Sequence, residues 1–450
     1  WTTQTYFNSY SGKISGHLLI DLTTNRFNAL FTIEIRVVTR IILRHDEWQI
    51  TAVQQRQKTR KKSTRHTMLH TIAIKNYRSL LDVTLPLSDL NIVTGPNASG
   101  KSNLYQAIRL LAEAAQGGLV QALAKEGGLD STFWAGPEKI TNRMRSREVP
   151  IQGGPKQDIT RLKLGFAGET FGYSISLGLP TPTNSAFSLD PEIKRECIWA
   201  GNAYRPASVL VDRNGPIVKA RMNRKWEVLS QHANSFESMF AYSQTPETLA
   251  LRETIRNWRF YDHFRTDADS PARQIQLGTR TTALHHDGHD LASALQTIRE
   301  IGDSYALDSA IADAFPGMKL EVDILGSARF GINLYQDGLL RPLSAQELSD
   351  GTLRYLLLVA ALLTPRPPPL MVLNEPETSL HPDLLPALGR LIAKASEHTQ
   401  VWLVTHSNRL VASLERAREC NSLALEKVLG QTRIIDQNML DAPMWRWPDN

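Results

Sequence analysis

Cysteine is almost absent: Cys197 and Cys420 are the only two in 450 residues and lie far apart. Two isolated thiols cannot build a disulfide framework or a cysteine metal site, which is the pattern of a reducing cytoplasm. Long hydrophobic runs are missing too. The longest, Leu353 to Thr364, carries Arg354 near its start and is too short to cross a bilayer, so no membrane association is expected. No stretch joins a charged start, an apolar middle and a small-residue cleavage site, so a secretory leader is not expected. Sustained heptads, internal repeats and low-complexity tracts are also lacking, which excludes a long coiled coil and solenoid architectures. What remains is an ordinary globular composition, 42% hydrophobic and 21% charged, in a chain long enough for two domains or one large domain with an insertion.

The basic charge is confined to one end. Residues 1–67 hold 11 Lys/Arg against 4 Asp/Glu, and the rest of the chain holds the remaining 40 and 41. A net charge of +6 would ordinarily point to nucleic acid. Here the leader supplies all of it, ending in a cluster from Lys58 to Arg65. That leader opens on Trp1 and shows no helix or strand period, whereas clean patterning begins at Met68. The expectation is that the natural protein starts at Met68 and that residues 1–67 lie upstream of it. The alternative is a disordered basic arm that touches DNA.

From Met68 onward the chain reads as an α/β protein in three parts. Residues 68–150 open with two alternating strands, Leu69 to Ile74 and Leu81 to Leu85, joined through Asn76-Tyr77-Arg78-Ser79. A short apolar run, Leu90 to Thr94, then enters a glycine loop. The loop is followed by a helix with Leu104, Ala107, Ile108, Leu111 and Ala115 on one face. Residues 151–335 read as an inserted lobe of β-hairpins and helices. One hairpin turns at Ala167-Gly168-Glu169-Thr170 and another at Arg213-Asn214-Gly215, with helical breaks at Pro246, Pro271 and Gly302. Residues 336–450 return to strand–helix alternation, with buried strands at Leu370 to Leu373 and Val401 to Val404.

Gly95-Pro96-Asn97-Ala98-Ser99-Gly100-Lys101-Ser102 fits G-x-x-x-x-G-K-[ST] between a strand and a helix. Such a loop closes its backbone N–H groups around phosphate oxygens. Lys101 would reach the β- and γ-phosphates, and the Ser102 hydroxyl would ligate Mg²⁺. Leu370 to Leu373 is an apolar strand ending in Asn374-Glu375-Pro376, as expected for a strand beside the loop that orients Mg²⁺ and water. Asn374 stands where P-loop ATPases most often have Asp. Its amide can accept from a metal-bound water but brings no charge, which leaves slow turnover, or binding without turnover, as an alternative. Glu375 is the candidate for polarising the attacking water. Leu348-Ser349-Asp350-Gly351-Thr352 precedes an amphipathic helix one step upstream of that strand, and His406 follows the strand Val401 to Val404, where it could bond a γ-phosphate.

Together these segments resemble the ATP-binding cassette: Walker A (95–102), signature (348–352), Walker B with its glutamate (370–375), D-loop (379–382) and switch histidine (406). The wording Glu375-Pro376-Glu377-Thr378-Ser379-Leu380-His381-Pro382, with Asn76-Tyr77-Arg78-Ser79 and Gly95-Pro96-Asn97, is similar to RecF-type predicted ATPases of the SMC, RecF and OLD group. The resemblance implies a P-loop, ABC-type ATPase head that binds ATP and Mg²⁺ and pairs with a second copy around the nucleotide. In that pairing Ser349, Asp350 and Gly351 of one copy would meet ATP held by Gly95 to Asn103 of the other. It also implies that Arg78 lies close to the nucleotide, and that the partner is DNA in repair, maintenance or defence, with a further effector protein conceivable. No Q-loop glutamine is identified in the sequence.

Other features carry less. His285-His286-Asp287-Gly288-His289 has metal-ligand residue types, but Asp287-Gly288 reads as a turn. Arg143, Arg145 and Arg147, with Arg221, Arg224 and Lys225, could meet DNA phosphates, although solvated loops suit each of them. Trp445 and Trp447 could dock on a partner or on the core. A transporter's nucleotide-binding subunit is a third class of function; the long gap from Ser102 to Ser349 argues against it.

Overall fold

The structure is a computed structural model that describes residues 68–137, 141–146, 148–149, 160–181, 184, 186–435 and 443–448. All of them belong to one unit, His66–Asn450. The leader, Arg147 and the expected start of segment 151–335 lie outside the described residues.

One layer is an antiparallel sheet of eight strands. Strands β1 (Leu69–Tyr77) and β2 (Leu80–Pro86) form its first hairpin. The chain rejoins the sheet much later, with β4 (Leu162–Gly168), β5 (Phe171–Gly178), β6 (Glu192–Ala200), β7 (Val209–Asn214), β8 (Ile217–Met222) and β9 (Lys225–Ser230). The order is β2-β1-β4-β5-β6-β7-β8-β9. The hairpins expected as part of an inserted lobe therefore continue the sheet begun by the N-terminal hairpin. The link is the β1–β4 pairing, in which Ile72 lies opposite Phe166 and Ile74 opposite Leu164. Their apolar side chains are all buried, so an isolated lobe would leave a greasy edge strand in water.

The second layer carries the chemistry. Strand β3 (Leu90–Thr94) pairs in parallel with β16 (Gln400–Val404), which pairs in parallel with β15 (Leu370–Asn374), which pairs in parallel with β10 (Arg259–Tyr261). On the other side of β3 lie β17 (Asn421–Val428) and β18 (Gln431–Ile434). The strand leading to Glu375 is expected from the sequence beside the P-loop strand, but β16 stands between them. Strands β3, β15 and β16 are buried on both faces, which explains why they read as apolar runs. Parallel strands end on the same side, so the residues after β3, β10, β15 and β16 meet at one edge. A third, smaller sheet holds β11 (Gln276–Leu277), β12 (Met318–Leu325), β13 (Arg329–Gln336) and β14 (Leu343–Ser344).

Helix α1 (Lys101–Gln116) follows the P-loop and buries Leu104, Ala107, Ile108, Leu111 and Ala115 between the two large sheets, as its 3.6-residue period predicts. Helix α2 (Leu119–Lys125) packs on it. Pro246, expected to break a helix, starts one: α3 (Pro246–Arg256) is capped by Thr245, and proline fits a first turn whose N–H groups have no helical partner. Helices α4 (Leu291–Ile301), α5 (Ser304–Ala314), α6 (Asp350–Leu362) and α7 (Leu385–Ala395) form the other apolar cluster with β15 and β16, and α8 (Asn408–Ala417) packs on α7. Trp445 and Trp447 fold back onto the antiparallel sheet: Trp445 meets Trp199 edge-on with centroids 5.6 Å apart, and Trp447 meets Trp445 edge-on at 5.2 Å. Among the described residues no helix is long and apolar enough to cross a membrane.

Candidate functional site

The loop Gly95–Ser102 is shaped by three left-handed residues, Gly95 (φ 145°), Ala98 (φ 65°) and Gly100 (φ 111°). At two of them glycine is required for space as well as for conformation. A Cβ on Gly95 would stand 2.5 Å from Leu425 O and 2.7 Å from Ser99 Oγ, and one on Gly100 would overlap Thr432 Oγ1. Thr432 braces the loop from β18, donating to Ser99 O at 2.7 Å while its amide donates to Ser79 O at 2.8 Å. Asn103 Nδ2 donates to Ser79 Oγ at 2.7 Å, which ties the start of α1 to the β1–β2 turn. Arg78, one residue earlier, has φ 48° and pairs with Glu126 at 2.9 Å beyond the end of α2.

Two observations test whether a nucleotide and its metal fit here. Ser99 Oγ is buried without a hydrogen-bond partner, a polar atom that calls for an oxygen or water. Lys101 Nζ is held inside the loop, donating to Gly95 O at 2.7 Å and Pro96 O at 3.2 Å, while Pro96, Asn97, Ala98 and Ser102 are exposed at its mouth. A concave backbone with a buried ammonium, opening at a helix N-terminus, suits a polyphosphate with its magnesium ion.

The neighbouring strand ends supply the rest. Glu375 is left-handed (φ 47°), and its amide donates to Val404 O at 2.8 Å. That sharp turn leaves its carboxylate partly exposed, 3.9 Å from His406 Nδ1. Glu377, two residues on, is buried and fixes the histidine loop. Its Oε1 accepts from Thr405 Oγ1 at 2.6 Å and His406 N at 2.9 Å, and lies 3.3 Å from His406 Nδ1. Glu377 lies outside the motif residues read from the sequence; its visible signal is a second carboxylate in Glu-Pro-Glu, 29 residues before the histidine it meets. Arg354 is a second missed residue. It is buried in α6, where burial lowers its pKa, and it reaches Glu375 O at 3.4 Å and His263 Nδ1 at 3.3 Å. A lone arginine in the apolar run after the signature was its visible mark.

Asn374 Nδ2 donates to Asp262 Oδ1 at 2.6 Å, just past the end of β10. On its other side Asp262 is 3.9 Å from Arg109, which also donates to the Tyr105 hydroxyl at 3.4 Å, both on α1. Burial first, and Asp262 second, push the Tyr105 phenol well above its usual range.

Ser349, Asp350 and Gly351 stand apart from the P-loop. Ser349 caps α6, accepting from Thr352 N at 3.1 Å. Ser349, Gly351, Ser379, His381 and Pro382 line an open groove of about 660 Å³ to which no residue of Gly95–Ser102 contributes. Arg273, also unassigned in the sequence, holds this segment. Its guanidinium donates to Ala345 O (2.9 Å), Leu348 O (2.8 Å), Thr266 O (2.8 Å) and Asp350 Oδ1 (2.8 Å).

Three other groups bond to partners within the protein. His285 Nδ1 and His289 Nδ1 each lie 2.7 Å from Asp287 Oδ1, which also accepts the His289 amide; the turn the sequence predicts brings them together. Burial would raise the Asp287 pKa, but these donors outweigh it and hold the carboxyl below its usual range. Arg221 donates to Ala207 O and stacks on Trp226, and Arg143 pairs with Glu148 at 3.5 Å.

Comparison with known proteins gives a family match over residues 90–412, to the model described as "AAA domain, putative AbiEii toxin, Type IV TA system". No curated protein matches the chain. Among solved structures it is similar to an Smc head bound to the C-winged helix domain of ScpA, at 12% identity and TM-score 0.46, covering 83% of this chain and 98% of that one. It is also similar to the SMC head domain from Thermotoga maritima (14%, TM-score 0.42, covering 83% and 100%). A third is an Smc head with an extended coiled coil bound to the C-terminal domain of ScpA derived from Pyrococcus furiosus (12%, TM-score 0.44, covering 83% and 97%). With a family match spanning well over half its length and the glycine loop within it, the chain belongs to this AAA family of P-loop ATPases.

Proposed function

We propose that the protein binds ATP with Mg²⁺, pairs with a second copy through the nucleotide, and hydrolyses it in the service of a reaction on DNA. The observation that carries the reading is the separation of two half-sites: Lys101, Glu375 and His406 gather at one sheet edge, while Ser349 and Gly351 open on a different groove. A signature whose groove is not lined by its own P-loop is open to a second copy's P-loop, and a two-fold pair would complete both sites at once. The DNA partner rests on the resemblance to RecF-type ATPases alone.

In this reading the backbone of Gly95 to Ser102 and the side chains of Lys101, Asn103 and Arg78 would hold the phosphates. Ser102 would ligate the metal, and Asn374 would meet it through a bound water. The metal supplies charge neutralisation on the phosphate oxygens. Glu375, turned outward by its left-handed backbone, orients and polarises the attacking water. His406, fixed by Glu377 through both its amide and its ring, bonds the terminal phosphate. Asn374 favours a second reading, an ATP-dependent dimerisation switch with little turnover, because it places no charge at the end of β15.

Steady-state hydrolysis by wild type and Glu375→Gln, each with and without DNA, separates the two, alongside oligomer mass measured with ATP. Turnover that DNA stimulates and the substitution abolishes supports the ATPase. An ATP-induced dimer without turnover supports the switch. ATP binding that leaves the protein monomeric at every concentration overturns both.

A further inference from the structure

The absence of a charged residue at position 374 is offset across the sheet. Tyr261 of β10 pairs with Leu373 of β15, so Asp262 and Asn374 are the next residues out along two neighbouring parallel strands. Their side chains meet there, with Asn374 Nδ2 2.6 Å from Asp262 Oδ1. An ionised carboxylate can only accept, so this bond dictates which end of the amide faces Asp262 and leaves Asn374 Oδ1 as the end free to accept from a metal-bound water. The carboxylate is itself anchored from α1. Arg109 lies 3.9 Å from its Oδ2 and also donates to the Tyr105 hydroxyl one turn earlier on the helix at 3.4 Å. Ser102, Tyr105 and Arg109 recur at helical spacing on α1, so Asp262 contacts the helix face that starts with Ser102.

We propose that Asp262 is the positioning residue of the metal site: it supplies, through Asn374, the negative charge that Asn374 lacks, and it sets the amide's orientation. The inference rests on the ATP and Mg²⁺ reading above. It changes what an Asn374→Asp substitution means. Such a protein would set two carboxylates in contact and lose the amide N–H that holds Asp262, so the substitution breaks the pairing that orients both groups and does not restore a better site. The exchanged pair, Asp262→Asn with Asn374→Asp, keeps one charge and one amide in contact and moves the charge one strand closer to the P-loop.

The test is Mn²⁺ affinity, followed by the paramagnetic signal of free ion, with a non-hydrolysable ATP analogue bound, for wild type, Asp262→Asn, Asn374→Asp and the exchanged pair. Metal-free analogue binding and thermal unfolding are measured beside it. Partners of metal-ligating groups typically contribute about 10–100-fold in metal affinity, and a loss of that size is expected for Asp262→Asn, with metal-free analogue binding and folding intact. Asn374→Asp should weaken Mn²⁺ binding at neutral pH, and the exchanged pair should recover it. Equal Mn²⁺ affinity in wild type and Asp262→Asn overturns the inference, as does tighter binding by Asn374→Asp alone. Failure of wild type to bind analogue or Mn²⁺ would overturn the nucleotide reading itself, an outcome distinct from either.

Discussion

Replacing Arg273 with methionine removes one guanidinium that holds two chain segments against the signature. The side chain is buried and donates to the carbonyls of Thr266, Ala345 and Leu348 and to the Asp350 carboxylate, at 2.8–2.9 Å in each case. Methionine fills similar volume, so the loss is one of hydrogen bonds and charge. A hydrogen bond to a charged donor contributes about 1.5–3 kcal/mol, and a buried carbonyl left unpaired costs about 1–3 kcal/mol. Asp350 is 61% exposed on its side chain and recovers its hydration, so its share is discounted. The carbonyls left behind, those of Asp267 and Gln346 at 3.1 and 3.2 Å included, are partly rehydrated, which gives a destabilisation of about 3–5 kcal/mol. Urea unfolding of both proteins measures it, and amide exchange should show residues 345–352 opening before the rest. A loss under about 1 kcal/mol with unchanged exchange would refute the reasoning, because it would mean water replaces the guanidinium at no cost.

Three further outcomes are expected. Gly100→Ala places a methyl group on Thr432 at φ 111° and should weaken ATP binding at least tenfold while the protein stays folded; unaltered affinity in a fluorescent-nucleotide titration would count against the loop geometry. Trp447→Ala removes a buried ring set edge-on against Trp445 and should cost about 3 kcal/mol by denaturant unfolding, whereas no change would mean the C-terminal tryptophans do not dock on the sheet. Glu347 is held down to about 2 by Arg341 and by the amide and hydroxyl of Ser344. A lowered acid contributes stability above its unfolded pKa and loses it as pH falls, so the melting-temperature gap between wild type and Glu347→Gln should close between about pH 4.5 and pH 2. A gap that widens on acidification would contradict the assignment.

The parts of this site that the sequence reveals are those whose chemistry lies in consecutive residues. Gly95 to Ser102, Ser349 to Thr352 and Asn374-Glu375 are each one turn of chain, and their spacing is dictated by the local backbone. Asp262 pairs with Asn374 across 112 residues, at the end of a three-residue strand too short to show a period. Arg273 reaches Asp350 over 77 residues, and β1 finds β4 across most of segment 86–162. Such pairings are set by sheet order, which hydrophobic patterning does not encode. The misplacement of the Glu375 strand has the same cause: β15 and β16 are equally apolar, and only their pairing partners distinguish them. Hairpin signals are local in the same way and do not say which sheet a hairpin joins.

The most direct test of the composite site mixes two defective proteins. Lys101→Ala loses its P-loop lysine, and Ser349→Arg blocks the signature that serves the partner. Each alone should be inactive, because both sites of either homodimer are damaged in the same way. In a two-fold dimer formed at random from equal amounts, half the dimers are mixed and each keeps one intact site, so the mixture should recover about a quarter of wild-type hydrolysis. No recovery on mixing, with wild type active and both variants folded, would contradict a site shared between two copies.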